Sequence, residues 1–203
     1  MKIVTAKAEL AFPVDPAAIL KNIELAGRTC YKSEDRITPE SSAGFVKRLI
    51  ASGHESVLEH EKISLKIICD RGVSHEIVRH RIASYSQEST RYCDYKENVT
   101  VVEIADFLDD KQYAVWLEAM RGAEKAYMAL RELGVKPQIA RSVLPNSLKM
   151  EMVMTANLRE WRAILKQRTS KASHPQMREV MAQVLKLFVG LLPEVFGDIK
   201  EQG

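Results

Sequence analysis

Long apolar runs are absent from this chain. None approaches the ~20 residues that a bilayer-spanning helix needs, so no membrane association is expected. The first residues, Met1-Lys2-Ile3-Val4-Thr5-Ala6-Lys7, lack the apolar core of a signal peptide. Cysteine is scarce. Cys30, Cys69 and Cys93 are odd in number and widely spaced, which is neither a disulfide framework nor a zinc-ligand pattern. A reducing cytoplasm is the expected location. No Gly-x-Gly-x-x-Gly follows a strand pattern, so a Rossmann cofactor site is not expected. Aromatics are only 6% of residues, too few for a stacking platform on nucleic acid, and no RNA-binding or helix-turn-helix signature is evident. Neither sign of charge dominates: 30 Lys and Arg stand against 27 Asp and Glu, interspersed, with net charge +3. That balance suits a phosphate-bearing ligand without specifying one. Internal repeats, low-complexity tracts and Gly/Ser linkers are also missing.

What is present is the material of an ordinary core. A chain of 203 residues with 46% hydrophobic content can bury a sizeable interior, and a single domain spanning 1–203 is expected. Residues 2–10 alternate as a short strand, and helical stretches follow at about 16–28 and 39–52, the second entered by Pro39. Residues 62–70 alternate again, with Ile63, Leu65, Ile67 and Cys69 on one face. Helical character returns at 72–82. Ala83 to Tyr95 is polar, aromatic and aperiodic, and reads as an ordered loop. A β-rich segment at Val99–Val102 precedes a long helix from about Asp110 to Leu133, with a stripe of Trp116, Ala119, Ala123, Tyr127 and Leu130. Gly134 and Pro137 end it. Residues 147–156 form the clearest strand, with Leu148, Met150, Met152 and Met154 on one side. That alternation marks the methionines as core packing, not a ligand-contacting stripe. Asn157 with Glu160 resembles a capping box opening the next helix, and Ser173 with Gln176 and Pro175 opens the last, about 175–190. Strands with one polar face predict an α+β fold: an antiparallel β-sheet flanked by helices.

The chemistry concentrates in Arg79-His80-Arg81-Ile82-Ala83-Ser84-Tyr85-Ser86-Gln87-Glu88-Ser89-Thr90-Arg91-Tyr92. Arginine forks grip phosphate or carboxylate, and hydroxyls and amides complete such contacts. Composition alone leaves a solvated helix end and a ligand site equally open. Arg168 stands seven residues after Trp161 on the stripe Trp161, Ile164, Leu165. It either snorkels over the helix end or points into a site. His54, Glu55, Glu59 and His60 cluster, but their spacing is not a recognised metal-ligand pattern, and no metal is expected. Ser89 shows no neighbouring base that would make it a nucleophile. No cysteine carries the basic surroundings of an activated thiol.

Arg79-His80-Arg81, seven intervening residues and Ser89 are similar to the signature of the flavin-dependent thymidylate synthases. Gly53-His54-Glu55-Ser56-Val57-Leu58-Glu59-His60 resembles the segment before that family's second strand. Ala140-Arg141-Ser142-Val143-Leu144-Pro145 resembles its Ala-Arg-x-x-Leu-Pro segment. Asn157-Leu158-Arg159 and the stretch from Arg168 to His174 follow in the family's order. The resemblance spans about 53–178 and implies an enzyme that converts dUMP to dTMP. It would use methylene-tetrahydrofolate as one-carbon donor and NADPH, through FAD, as reductant, in a homotetramer with shared active sites. It implies flavin-side roles for His54, Ser56, Glu59, Arg79, His80, Arg81, Asn157 and Arg159. It implies nucleotide-side roles for Glu76, Gln87, Ser89, Thr90, Arg91 and Arg141, with Arg168 catalytic at the uracil ring. Glu76 and the pair Gln87-Glu88 depart from the pattern of some family members, and the Arg168 to His174 loop is slightly longer than in some; Glu76 could repel a phosphate or pair with Arg79 or His80 one turn on. The alternatives are a basic nucleic-acid-binding module using Arg79, Arg81 and Arg91, and a metal-dependent nucleotide hydrolase built on His54, Glu59 and His60.

Overall fold

The computed structural model describes residues 1–200. Among these described residues are six strands and eight α-helices. Strands β1 (Lys2–Val4) and β2 (Lys7–Leu10) precede helices α1 (Pro16–Thr29) and α2 (Ser41–Ala51). Strand β3 (Lys62–Asp70) leads into α3 (Arg71–Ile77), β4 (Ala83–Gln87) and β5 (Thr100–Val102). Then come α4 (Asp110–Glu132), α5 (Pro137–Ala140), β6 (Lys149–Asn157), α6 (Leu158–Arg168), α7 (Pro175–Leu191) and α8 (Pro193–Phe196). The architecture is α+β. A four-stranded antiparallel sheet has the order β2-β3-β6-β4, and β1 pairs with β5 in parallel, Lys2 opposite Thr100. Among the described residues no helix is long and apolar enough to cross a membrane.

The chain folds as two compact units. The first comprises residues 1–7, 67–79 and 85–153, and the second 8–66, 80–84 and 154 onward. In the first unit Val99, Val101, Met120, Tyr127, Ala140, Leu148 and Met150 form the core. Helix α4 starts with a complete capping box: Asp109 accepts from the Gln112 N–H, and the Gln112 side chain accepts from the Asp109 N–H. Its buried stripe runs through Met120 and Tyr127, whereas Ala119 is exposed. The expected stripe was therefore displaced by one residue around Ala119, because alanine fits either face. In the second unit Trp161 meets Phe188 edge to face and Phe188 packs tilted against Phe196, with ring centroids 5.3 and 4.9 Å apart. The Trp161 indole N–H donates to the Ile63 carbonyl at 2.9 Å, which satisfies the one polar atom of a fully buried ring.

Period-two patterning is accurate in the long strands. Ile63, Leu65, Ile67 and Cys69 of β3 are buried, as are Met150, Met152 and Met154 of β6. Cys69 is a core thiol, its pKa pushed up to about 12 by burial and by neighbouring Asp70. Three expectations are corrected. Residues 2–10 are two strands belonging to different sheets, not one. The helix expected over 72–82 ends at Ile77. Ala83–Gln87, expected to be loop, is strand β4: Ala83, Tyr85 and Gln87 turn inward while Ser84 and Ser86 face solvent. That alternation is invisible to hydrophobicity because the inward side chains are small or polar. At the start of α7, Pro175 holds the first position but no side chain caps it, and the Ser173 hydroxyl donates to the Gln167 carbonyl instead.

Candidate functional site

In the second unit, a turn after α2 presents His54. Gly53 takes φ +71°, the left-handed conformation in which a Cβ would be strained. Its N–H donates to the Ile50 carbonyl at 3.0 Å, and the His54 N–H to the Leu49 carbonyl at 2.9 Å. This is the Schellman arrangement that closes a helix on its own carbonyls. It starts a cavity of about 360 Å³ whose lining includes Cys30, Tyr31, Leu49, His54, Ser56 and Arg159. The lining mixes apolar wall with hydrogen-bonding edge, the make-up of a small-molecule site. Arg159 donates to the Glu59 carboxylate at 2.5 Å, so Glu59 reaches the cavity rim through that pair. Glu55, also in the lining, accepts from Arg162 at 3.0 and 3.1 Å. With Glu55 and Glu59 engaged by arginines, the sequence cluster His54, Glu55, Glu59, His60 does not gather as ligands. Among the described residues no group of three or more His, Cys, Asp and Glu could hold a metal ion.

Elsewhere in this unit stands Arg168. It ends α6 half-buried, and its Nε donates to His80 Nε2 at 3.0 Å. A guanidinium cannot accept, so the imidazole proton resides on Nδ1. Glu160 Oε1 lies 3.8 Å from that Nδ1. Burial, and then the Arg168 charge, lower the His80 pKa, while burial raises that of Glu160. His80 is therefore neutral near pH 7, and it braces the arginine without competing for its charge. Glu160 does not complete the expected capping box. Asn157 Oδ1 accepts from the Glu160 N–H at 2.8 Å and caps α6, but the Glu160 carboxylate is directed at His80. Arg81 is exposed.

The first unit carries the other set. Glu76 is half-buried in the last turn of α3, and Arg79 is exposed just beyond. Gln87 closes β4 and donates to the buried Ser74 hydroxyl at 3.1 Å. Thr90 is 5% exposed, and its hydroxyl accepts from Arg141 at 3.1 Å. Arg91 donates to Gln138 at 3.3 Å and lies over the Tyr92 ring. The Ser89 hydroxyl accepts from the Arg91 N–H at 3.3 Å and so serves the turn. The Arg141 and Arg91 guanidiniums and the Thr90 and Ser89 hydroxyls are thus held in one short region, a donor set suited to phosphate. The Tyr85 hydroxyl donates to the Ile77 carbonyl at 3.0 Å, a packing role, whereas Tyr92 is exposed.

The sequence profile described as thymidylate synthase complementing protein matches residues 17–194. The chain belongs to that family. It is 34% identical over 196 residues to a flavin-dependent thymidylate synthase of Mycolicibacterium vanbaalenii, covering 88% of this chain and 78% of that protein. It is 33% identical over 193 residues to one of Geobacter sulfurreducens, covering 91% and 82%. Its fold is similar to that of PolB, a UMP/dUMP methylase of Streptomyces cacaoi solved with 5-Br dUMP. The TM-score is 0.78 at 23% identity, over 97% of this chain and 96% of that one.

In this family member, three side chains of the second unit and two of the first stand beside candidate residues without having been assigned a functional role from the sequence. Cys30 and Tyr31 line the cavity from the turn after α1, where periodicity gives no sign of them. Glu160 faces His80, Ser74 receives Gln87, and Glu88 is held beside Ser89 by Lys149. Glu160 and Glu88 meet partners far along the chain and Ser74 one 13 positions away, contacts that local patterning does not register, although the place of Glu88 beside Ser89 was a signal in the sequence.

Proposed function

We propose that this chain is a flavin-dependent thymidylate synthase that converts dUMP to dTMP. Methylene-tetrahydrofolate is the one-carbon donor and NADPH, by way of FAD, the reductant. The observation that carries the reading is the Arg168 guanidinium braced on a neutral His80 at the end of α6, in a chain of this family. A cation fixed in this way offsets negative charge growing on a pyrimidine as its C5 becomes nucleophilic, and it needs no reorganisation during the reaction.

The remaining assignments follow the family resemblance. A flavin suits the cavity at His54: Leu49 and Val57 offer apolar surface to ring faces, while His54, Ser56 and Arg159 offer polar partners to ring edges. Glu59, Asn157, His80 and Arg81 are assigned to the same cofactor. The flavin, when bound, supplies the two-electron redox chemistry. Arg79 is assigned to FAD as well. Gln87, Ser89, Thr90, Arg91 and Arg141 are assigned to the nucleotide and its phosphate, with Glu76 nearby. Placement and charge stabilisation are the work of these side chains. We further propose that all 203 residues act as one catalytic domain, in a homotetramer with shared active sites. A cytoplasmic location accords with three free thiols.

The test is NADPH oxidation by purified protein supplied with FAD, with and without dUMP and methylene-tetrahydrofolate, with dTMP followed by chromatography. Flavin absorption bands, dUMP-dependent oxidation and dTMP formation are expected. A colourless protein that forms no dTMP overturns the reading.

A further inference from the structure

One carboxylate in the first unit collects more partners than its position in the chain suggests. Glu88 follows the last residue of β4, and its side chain is only 15% exposed. Its N–H donates to the Glu151 carbonyl at 2.8 Å, and its Oε2 accepts from the Glu151 N–H at 3.3 Å. The side chain thus takes the place of a backbone acceptor and ends the pairing of β4 with β6. Lys149 Nζ donates to the same Oε2 at 2.9 Å. The other oxygen, Oε1, accepts from the Tyr95 hydroxyl at 2.7 Å.

Tyr95 is anchored independently. Its N–H donates to the Tyr127 hydroxyl at 3.2 Å, and its ring meets Tyr127 edge-on at 6.1 Å. Next to it, Asp94 is gripped by Arg131 at 2.8 and 3.0 Å. One end of the segment 89–94 is therefore fixed to β6 and the other to α4, and the Glu88–Tyr95 hydrogen bond ties the ends together. Between them stand Ser89, Thr90 and Arg91. Burial and the Glu88 charge hold the Tyr95 phenol above its ordinary pKa, so it remains a donor at any working pH. A charged pair this enclosed adds little net stability over apolar side chains of similar size, and its best-attested use is to fix a unique arrangement.

We propose that Glu88 is a positioning residue: with Tyr95 it forms a clasp that holds Ser89, Thr90 and Arg91 ready for the nucleotide. The proposal rests on the functional reading above and deepens it. The test compares wild-type holoenzyme with Tyr95→Phe, Glu88→Ala and the double variant. Tyr95→Phe keeps the ring and removes only the hydroxyl. The readouts are KM for dUMP, kcat, flavin content, and amide hydrogen exchange of 89–94 without nucleotide. Each single variant should raise KM about tenfold, the scale of one lost hydrogen bond to a charged group. The kcat should stay within about twofold of wild type, flavin content should be unchanged, and 89–94 should exchange faster. The double variant should match the worse single one, because both break one clasp. Rescue of KM by Glu88→Gln, which keeps an acceptor for Tyr95, would add support. A Tyr95→Phe enzyme with unchanged KM overturns the clasp, whatever its exchange. So does a fall in kcat and flavin content together, which marks a general structural defect. A wild-type protein that turns over no dUMP instead defeats the functional reading, and with it the assignment of a nucleotide to this loop.

Discussion

Arg168 and His80 stand 88 positions apart in the sequence, yet a hydrogen bond joins them. The imidazole must be unprotonated on Nε2 to accept, and the guanidinium can only donate. Arg168→Ala should therefore lower kcat by about two to three orders of magnitude, the cost of removing a preorganised charge-stabilising donor. FAD should remain bound, because the cavity at His54 proposed to hold it does not include Arg168 in its lining. Arg168→Lys should recover little, since an ammonium lacks the planar fork. Steady-state kinetics with flavin absorbance on the same samples checks both parts, and near-wild-type turnover would remove Arg168 from the mechanism. The arginine's position on an apolar stripe was readable in advance, because helical periodicity is a local property. The partner was not: nothing local links residue 168 to residue 80. For the same reason the Arg162 interaction with Glu55 and Asp198 escaped notice, although its guanidinium is among the most deeply buried side chains.

Elements were legible where one face is strongly apolar and hidden where it is not. Strands β3 and β6 announced themselves through Ile, Leu and Met at every second position, and β4 did not, because Ala83, Tyr85 and Gln87 carry no such contrast. The start of α6 shows how one residue can be claimed by two roles. Asn157 resembles a cofactor contact by family, but its Oδ1 is spent capping the helix that carries both Arg159 and Arg168. Asn157→Ala should cost about 1 kcal/mol. In a chain of this length that lowers Tm by roughly 2–4 °C. Asn157→Asp should restore Tm, since aspartate caps equally well. Calorimetry of the three proteins, read beside their flavin content, separates the roles. Loss of flavin in Asn157→Asp despite a normal Tm would assign the amide to the cofactor, and retained flavin would assign it to the helix.

For the whole molecule, motif order along the chain indicated the family without any knowledge of contacts, because Arg79, Ser89, Arg141 and Arg168 are read from sequence alone. Composition was silent on what anchors the C-terminal end of the second unit. There Asp198 receives both Nη atoms of Arg162, at 2.6 and 2.7 Å, and Arg162 also donates to the Val195 carbonyl. The Arg162 hydrogen bonds hold the Asp198 pKa below its ordinary value. A depressed carboxylate pKa means that the unfolded chain binds the proton more readily than the folded one. Its contribution is therefore complete above the unfolded value of about 3.9 and disappears as pH falls through the lower folded value. Asp198→Asn should be less stable than wild type at neutral pH, and the gap should narrow below about pH 4. Glu160 acts with the opposite sign. Burial raises its pKa, so its protonation favours the folded state as pH falls toward the ordinary Glu value of about 4.3 from above. Glu160→Gln should flatten that higher-pH segment and leave the acid limb to Asp198. Tm measured from pH 3 to pH 7 on the two variants and wild type distinguishes these effects. A gap for Asp198→Asn that persists unchanged at pH 3 would show that the Arg162 pair does not set the acid limit.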